Sequence, residues 1–147
     1  MSQPIIILAS NRRESNTEKL LTKLFADNTY RLINLLDYHI QPYSYSGTYH
    51  ADDSFNDIVS VMLQYDDIIF ATPVYWYAMS GLLKTFMDRL TDIVTIQKAI
   101  GKQMQGKTLF VIAVGSDPHL PQGFEVPFLL TARYFGMVYK GCTYKPL

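Results

Sequence analysis

The chain has one cysteine, Cys142, among its 147 residues. A single thiol cannot form an intrachain disulfide framework, and by itself it cannot supply the ligands of a zinc site or an iron–sulfur cluster. Its neighbours predict a buried strand thiol. His39 and His50 have no partners at metal-ligand spacing. We therefore expect neither a disulfide nor a metal.

Net charge and long hydrophobic runs are also missing. Thirteen basic and thirteen acidic residues cancel, which argues against nucleic acid as a partner and against an acidic electron carrier that docks by long-range charge. The N-terminus lacks a basic segment, and its apolar run, Ile5 to Ala9, is too short for a signal peptide or membrane span. We expect one domain, residues 1–147, that is cytoplasmic, binds small molecules and contacts no membrane.

Apolar runs rich in β-branched residues predict five strands, and helical periodicity predicts four helices between them. The predicted strands are Ile5 to Ala9, Tyr30 to Leu36, Ile68 to Ala71, Thr108 to Val114 and Met137 to Thr143. The alternation predicts an α/β fold, a doubly wound five-stranded parallel sheet in the flavodoxin-like order 2-1-3-4-5. Because the last strand ends close to Leu147, we expect the final helix of such folds to be absent.

The helices have recognisable ends. The first follows a capping box of Ser15 and Glu18, and the fourth has Pro127 in its first turn and Gly136 after its end. Between Thr91 and Lys107 the chain is polar with two glycines, which predicts a helix tail and a mobile connection.

Three consecutive aromatic residues, Tyr75, Trp76 and Tyr77, follow the third strand. The apolar run before them breaks at Thr72 and Pro73, and we expect the backbone N–H groups of this turn to be free for a ligand. Open α/β sheets bind ligands at the carboxyl ends of their strands, so the rings predict a flat heteroaromatic ligand. The alternative is a surface patch at a subunit interface. In either case we expect the three aromatic rings to be partly protected from water.

The loop after the first strand, Ser10 to Thr17, gathers hydroxyls, amides and guanidinium groups at a helix N-terminus. This combination suits a phosphate monoester. It is neither a Walker loop nor a dinucleotide fingerprint, because the first 25 residues contain no glycine. The alternative is that Ser15 only caps the helix and that Arg12 and Arg13 are solvated. Arg13 is the one we expect to stay outside the site.

These two segments carry a family resemblance. The pattern Ser10-x-Arg12-x-x-Ser15-Asn16-Thr17, followed by Thr72-Pro73-Val74-Tyr75-Trp76 and Ser80-Gly81-x-Leu83-Lys84-x-x-x-Asp88-Arg89, resembles the flavodoxin-like NAD(P)H-dependent oxidoreductases. That family includes FMN reductases, quinone and azo reductases and iron–sulfur flavoproteins. The chain lacks the cysteine cluster of the iron–sulfur members, so the resemblance implies no cluster.

The resemblance implies FMN as cofactor, NADPH or NADH as cosubstrate, and a small electron acceptor such as a quinone, azo compound, free flavin or metal ion. It implies that the phosphate lies at Ser10, Arg12, Ser15, Asn16 and Thr17, and the isoalloxazine ring beside Pro73, Val74, Tyr75, Trp76 and Tyr77. Thr72 is also expected among the cofactor-binding residues. It also implies a homodimer or homotetramer. Hydride transfer needs no side chain as acid or base, so we name no catalytic residue. A flavodoxin-type electron-transfer protein and an FMN-binding module without NAD(P)H activity remain alternatives.

Other polar segments are less specific. Gly115, Ser116 and Asp117 follow the fourth predicted strand and are expected to complete the flavin pocket, although a plain turn explains them equally well. His119 is a lone loop histidine. The tyrosine-rich loop Tyr38 to His50 has three possible roles: it covers the flavin, shapes the acceptor pocket or meets a second subunit. Lys84 and Asp88 have the spacing of a surface ion pair on one helix.

Overall fold

The computed structural model describes residues 3–25 and 29–147. Its strands are β1 (Ile5–Leu8), β2 (Arg31–Asn34), β3 (Asp67–Tyr75), β4 (Ala78–Met79), β5 (Thr108–Gly115) and β6 (Val138–Pro146). Five of them form a parallel sheet in the order β2-β1-β3-β5-β6, and β4 pairs antiparallel with β3. With β4 left aside, this is the predicted order 2-1-3-4-5, and the prediction is confirmed.

The helices are α1 (Asn16–Leu24), α2 (Phe55–Met62), α3 (Gly81–Arg89), α4 (Asp92–Thr95), α5 (Lys98–Lys102) and α6 (Val126–Phe135). The prediction of a mobile connection after Thr91 was wrong, because α4 and α5 occupy much of it. Gly101 allows these two short helices to pack closely: a Cβ atom there would lie 2.2 Å from the carbonyl oxygen of Ile93.

Alternate residues of the central strands pack on opposite faces of the sheet, as a doubly wound fold requires. On one face, Leu21 of α1 packs with Ile6, Ile69 and their neighbours. On the other face, Phe70 meets Phe86 of α3 and Phe128 of α6, with ring centroids 6.2 and 6.3 Å apart. Burial of these side chains on both faces fixes the strand ends that carry the polar loops.

The strand boundaries differ from the predictions by one to four residues, and two of the differences have a clear cause. The second strand ends at Asn34, whose side chain accepts a hydrogen bond from Leu36 N (3.1 Å) and starts a 3₁₀ turn. The last strand continues to Pro146, with a bulge that leaves Lys140 exposed, as expected of an edge strand.

The thiol of Cys142 was predicted to be buried, and the structure shows this residue of the last strand only half-buried. Burial and then the charge of Glu125 raise the pKa of its thiol to about 12.

Candidate functional site

The carboxyl ends of β1, β3 and β5 open into one cleft. Leu8 pairs with Ala71, and Ala71 pairs with Ile112, so the three strands are in parallel register and their loops lie at the same edge of the sheet. A cavity of about 180 Å³ lies between them, and residues from all three loops line it. Its lining is Ser10, Arg12, Ser15, Asn16, Thr17, Pro73, Val74, Tyr75, Val114, Gly115, Ser116 and Leu147. Ten of the fourteen predicted site residues therefore meet in one cavity.

The first loop presents hydroxyl groups at the start of α1. Ser10, Ser15 and Thr17 are buried by the protein, and Ser15 caps the helix by accepting a hydrogen bond from Glu18 N (3.2 Å). Capping uses an oxygen lone pair, so the hydroxyl proton of Ser15 stays available to a ligand. Glu14 turns the chain into this cap with a left-handed φ of 51°, which is uncommon for a residue with a side chain.

The two neighbouring arginines have different surroundings. Arg13 forms an exposed ion pair with Asp37 and lies outside the cavity lining, as predicted. Arg12 lines the cavity and, within residues 3–25 and 29–147, makes no ion pair. Together with the positive end of the α1 dipole, Arg12 gives this part of the cleft the charge that an anion requires.

The aromatic segment is a β-hairpin, and the prediction that the third strand ends at Ala71 was wrong. β3 continues through Thr72 and Pro73 to Tyr75, because both residues still pair with β5 and the chain then turns back into β4. Trp76 and Tyr77 form the two-residue turn with φ values of 49° and 70°. Such turns normally use Asn or Gly, so two aromatic residues there are strained.

The rings of the hairpin turn were expected to be partly protected from water. In the single chain this expectation is wrong, because Trp76 and Tyr77 are exposed. The exposed fraction is 91% for Trp76 and 62% for Tyr77. Thr72, in contrast, is fully buried and does not line the cavity between the three loops. Its hydroxyl donates to Pro73 O (2.8 Å) and accepts from Ser80 N (3.0 Å), so its role is to hold the hairpin.

Ser80 joins the hairpin to the rest of the cleft, a role that the sequence does not indicate. Its hydroxyl donates to Ala9 O at the end of β1 (2.7 Å) and accepts from Leu83 N in the first turn of α3 (3.2 Å). One buried side chain thus connects β1, the hairpin and α3. The apolar pattern around Ser80 identifies the start of a helix but not this long-range contact.

The third loop closes the cleft and forms part of a second cavity. Gly115 lies so close to β6 that a Cβ atom there would be 2.8 Å from the hydroxyl oxygen of Tyr144. The same hydroxyl donates to Asp117 O (2.6 Å). Sequence reasoning missed Tyr144, because only the pairing of β5 with β6 brings it to the loop. The second cavity, of about 150 Å³, is lined by Val74, Trp76, Tyr77, Ser116 and Asp117.

The tyrosine-rich loop is held by a buried arginine. Arg89 donates to both carboxylate oxygens of Asp53 (2.7 and 3.0 Å) and to Asp92 (2.9 Å), and its guanidinium carbon lies 3.4 Å from the ring centroid of Tyr49. Burial alone would raise the pKa of Asp53, but hydrogen bonds from Arg89 and two backbone N–H groups hold it below its ordinary value. The predicted pair of Lys84 and Asp88 is present, and is exposed.

Two larger cavities lie away from the strand ends, between α3 to α5 and α6, with volumes of about 420 and 320 Å³. They are open grooves that collect no residues of the three loops. Among the described residues, no group of three His, Cys, Asp or Glu side chains is placed to hold a metal ion. No described helix is long and apolar enough to cross a membrane.

The family model for NADPH-dependent FMN reductases matches residues 4–141. The chain belongs to this family. A relative from Bacillus subtilis, YwqN, whose name assigns it to NAD(P)H-dependent FMN-containing oxidoreductases, is 32% identical over 145 residues, which cover 92% of this chain and 80% of that protein. The predicted FMN cofactor, nicotinamide cosubstrate and oxidoreductase class are confirmed by membership of this FMN reductase family.

Solved structures agree with the fold of this FMN reductase. The Trp repressor binding protein from Bacillus subtilis is 28% identical and superposes with a TM-score of 0.79, covering 98% of this chain and 86% of that one. General stress protein 14 from Treponema denticola, in complex with FMN, is 18% identical with a TM-score of 0.67, covering 98% and 85%. The second likeness supports the fold alone.

Proposed function

We propose that this FMN reductase oxidises NADH or NADPH and passes the electrons to a small organic or metal acceptor, such as a quinone, azo compound, free flavin or metal ion. The observation that carries the proposal is the single cleft into which the three loops converge. For a quinone the balance is NAD(P)H, a proton and quinone giving NAD(P)⁺ and hydroquinone. FMN, when bound, supplies the hydride-accepting and electron-donating chemistry.

The donor set of the cleft fits FMN. Ser10, Arg12, Ser15, Asn16 and Thr17 offer hydroxyl, amide and guanidinium donors at the positive end of α1 and would hold the phosphate. Pro73, Val74 and Tyr75 on one side and Gly115 and Ser116 on the other would flank the ring in this cleft. Trp76, Tyr77 and Asp117 line the adjoining second cavity and would border the ring on its outer side. Thr72 and Ser80 act indirectly, because their hydrogen bonds fix the hairpin on which the ring would lie.

The experiment is anaerobic stopped-flow reduction of the FMN-loaded protein by NADPH and by NADH, followed by a panel of acceptors. We expect at least one nucleotide to bleach the flavin within the turnover time, and an acceptor to restore its colour. Bleaching by neither nucleotide would contradict the proposal and favour a flavodoxin-type carrier or an FMN-binding module. Failure to bind FMN at all would exclude every redox role.

The proposal includes a homodimer or homotetramer in the cytoplasm, without nucleic acid or membrane partners. Val126, Leu130 and Tyr134 recur every four residues on the exposed side of α6, beside the groove of about 320 Å³. A twofold axis beside α6 would place this ridge of one copy against the groove of the other, and we therefore propose a second copy of this chain as the occupant. Light scattering should give a multiple of 16.9 kDa, and a monomer at micromolar concentration would contradict this part.

A further inference from the structure

The second cavity, of about 150 Å³, lies on the outer side of the hairpin turn and is the outer cavity. Its lining differs in chemistry from that of the cavity between the three loops. The two cavities share Val74 and Ser116, but only the outer one is lined by Trp76 and Tyr77. The outer cavity therefore adjoins the proposed ring site, and the exposed side chains of Trp76 and Tyr77 border it on the solvent side. It offers an incoming small molecule two aromatic surfaces next to that site.

Asp117 is the single charged side chain in the lining of the outer cavity. Among the described residues it makes no ion pair, and no lysine or arginine lines this cavity. Tyr144 fixes the backbone of Asp117 through the hydrogen bond of 2.6 Å to its carbonyl oxygen. Burial, and after it the negative charge of Asp117, raise the pKa of Tyr144, so the two groups sense each other.

Aromatic faces carry negative electrostatic potential and attract cations, and a carboxylate does the same. We propose that the outer cavity is the approach site of the electron acceptor and that Asp117 makes it select neutral and cationic planar acceptors over anionic ones. This inference rests on the proposed function. It concerns the approach of the acceptor, and leaves the balance of the reaction unchanged.

The size of the selection follows from Coulomb's law. A unit charge about 6 Å from a carboxylate in water changes the encounter equilibrium about threefold, so acceptors of charge +1 and −1 should differ about tenfold in kcat/KM. Salt screens this interaction, since the Debye length falls from about 10 Å at 0.1 M to about 3 Å at 1 M. The preference should therefore approach unity at high salt.

The first test needs neither flavin nor turnover. Trp76 is the single tryptophan of the chain and lines this cavity, so its fluorescence in the flavin-free protein reports on the local charge there. We would compare quenching by caesium, iodide and neutral acrylamide in the wild type, Asp117→Asn and the control Asp57→Asn, which removes an exposed carboxylate on α2. The ratio of caesium to iodide quenching constants should fall about threefold in Asp117→Asn at 0.1 M ionic strength, and stay unchanged in Asp57→Asn.

An unchanged ratio in Asp117→Asn would overturn the inference, because the carboxylate would then not control the local charge. Failure of acrylamide to quench Trp76 would overturn it as well, since the cavity would be closed to acceptors. An equal fall of the ratio in Asp57→Asn would mean that net charge and not Asp117 decides, which also overturns it.

The second test uses the FMN-loaded protein and two naphthoquinones that differ in one substituent, trimethylammonium or sulfonate. After reduction by NADPH or NADH, the cationic quinone should reoxidise the flavin about tenfold faster than the anionic one. Asp117→Asn should bring this ratio close to unity, because the carboxylate is the source of the preference. Bleaching by nucleotide followed by equal rates with both quinones refutes the charge selection and leaves the proposed function standing. Absence of bleaching refutes the proposed function itself, while the quenching result still decides the role of Asp117.

Discussion

Replacement of Asp53 by Asn should destabilise the protein strongly, although it only exchanges one carboxylate oxygen for an amide NH₂ group. Arg89 is 1% exposed and donates to both carboxylate oxygens of Asp53, whose side chain is 6% exposed. An amide accepts only one of these hydrogen bonds and leaves the buried guanidinium with one carboxylate partner, Asp92. Breaking a buried ion pair in this way costs about 3 kcal/mol, which corresponds to a fall in Tm of about 6 to 12 °C for a chain of this length.

The neighbouring Asp52 provides the matched control. Its side chain is 70% exposed and, among the described residues, is ion-paired with His39 alone, so Asp52→Asn should change the free energy of unfolding by less than about 0.5 kcal/mol. Urea denaturation of the two variants and the wild type measures the difference. Equal stability of the Asp52 and Asp53 variants would refute the assignment of Arg89 and Asp53 as the anchor of the tyrosine-rich loop.

The same pair predicts how stability depends on pH. The pKa of Asp53 is lower in the folded protein than its ordinary value, so the pair contributes fully above about pH 4 to 5 and loses its contribution as the pH falls through the folded-state pKa. The wild type should therefore lose stability between pH 5 and 3 more steeply than Asp53→Asn. Parallel pH profiles for the two proteins would contradict the depressed pKa.

Three further substitutions test the cleft. Arg12→Ala should weaken FMN binding about 10- to 100-fold, as expected for loss of a charge-assisted hydrogen bond, whereas Arg13→Ala should leave the Kd within twofold because its partner is Asp37; similar losses in both would contradict the assignment. Ser15→Ala should lower stability by about 1 kcal/mol through loss of the helix cap and also weaken FMN binding, and a change in stability alone would reduce Ser15 to a cap. Gly115→Ala should impair FMN binding, because the added methyl group would meet Tyr144 at 2.8 Å; unaltered binding would show that the third loop does not contact the flavin.

Strand order and the position of the cleft were predictable from the sequence because they follow from local patterns. Buried runs such as Ile5–Leu8 have one role in an α/β fold, and the polar loop after each run must lie at the carboxyl edge of the sheet. The expectation that Arg13 stays outside the site while Arg12 belongs to it agrees with the structure. These features depend on neighbouring residues, which the sequence displays directly.

Features that depend on contacts between distant residues were not predictable. Tyr144 reaches Asp117 through the pairing of β6 with β5, and Arg89 reaches Asp53 across 36 positions of the chain. The hairpin was missed because Pro73 reads as the end of a strand, whereas it occupies a strand position here that pairs with Val114. The turn at Trp76 and Tyr77 was hidden because these residues are atypical for it.

The central claim is that one cleft holds the phosphate of FMN at the first loop and its ring beside the hairpin. The most direct measurement is the affinity of the apoprotein for FMN and for riboflavin, read from the fluorescence of the single tryptophan, Trp76. We expect both ligands to quench Trp76, and FMN to bind about 100-fold more tightly than riboflavin, because only FMN meets Arg12 and the hydroxyls of the first loop. Equal affinities, or binding that leaves Trp76 fluorescence unchanged, would contradict the account.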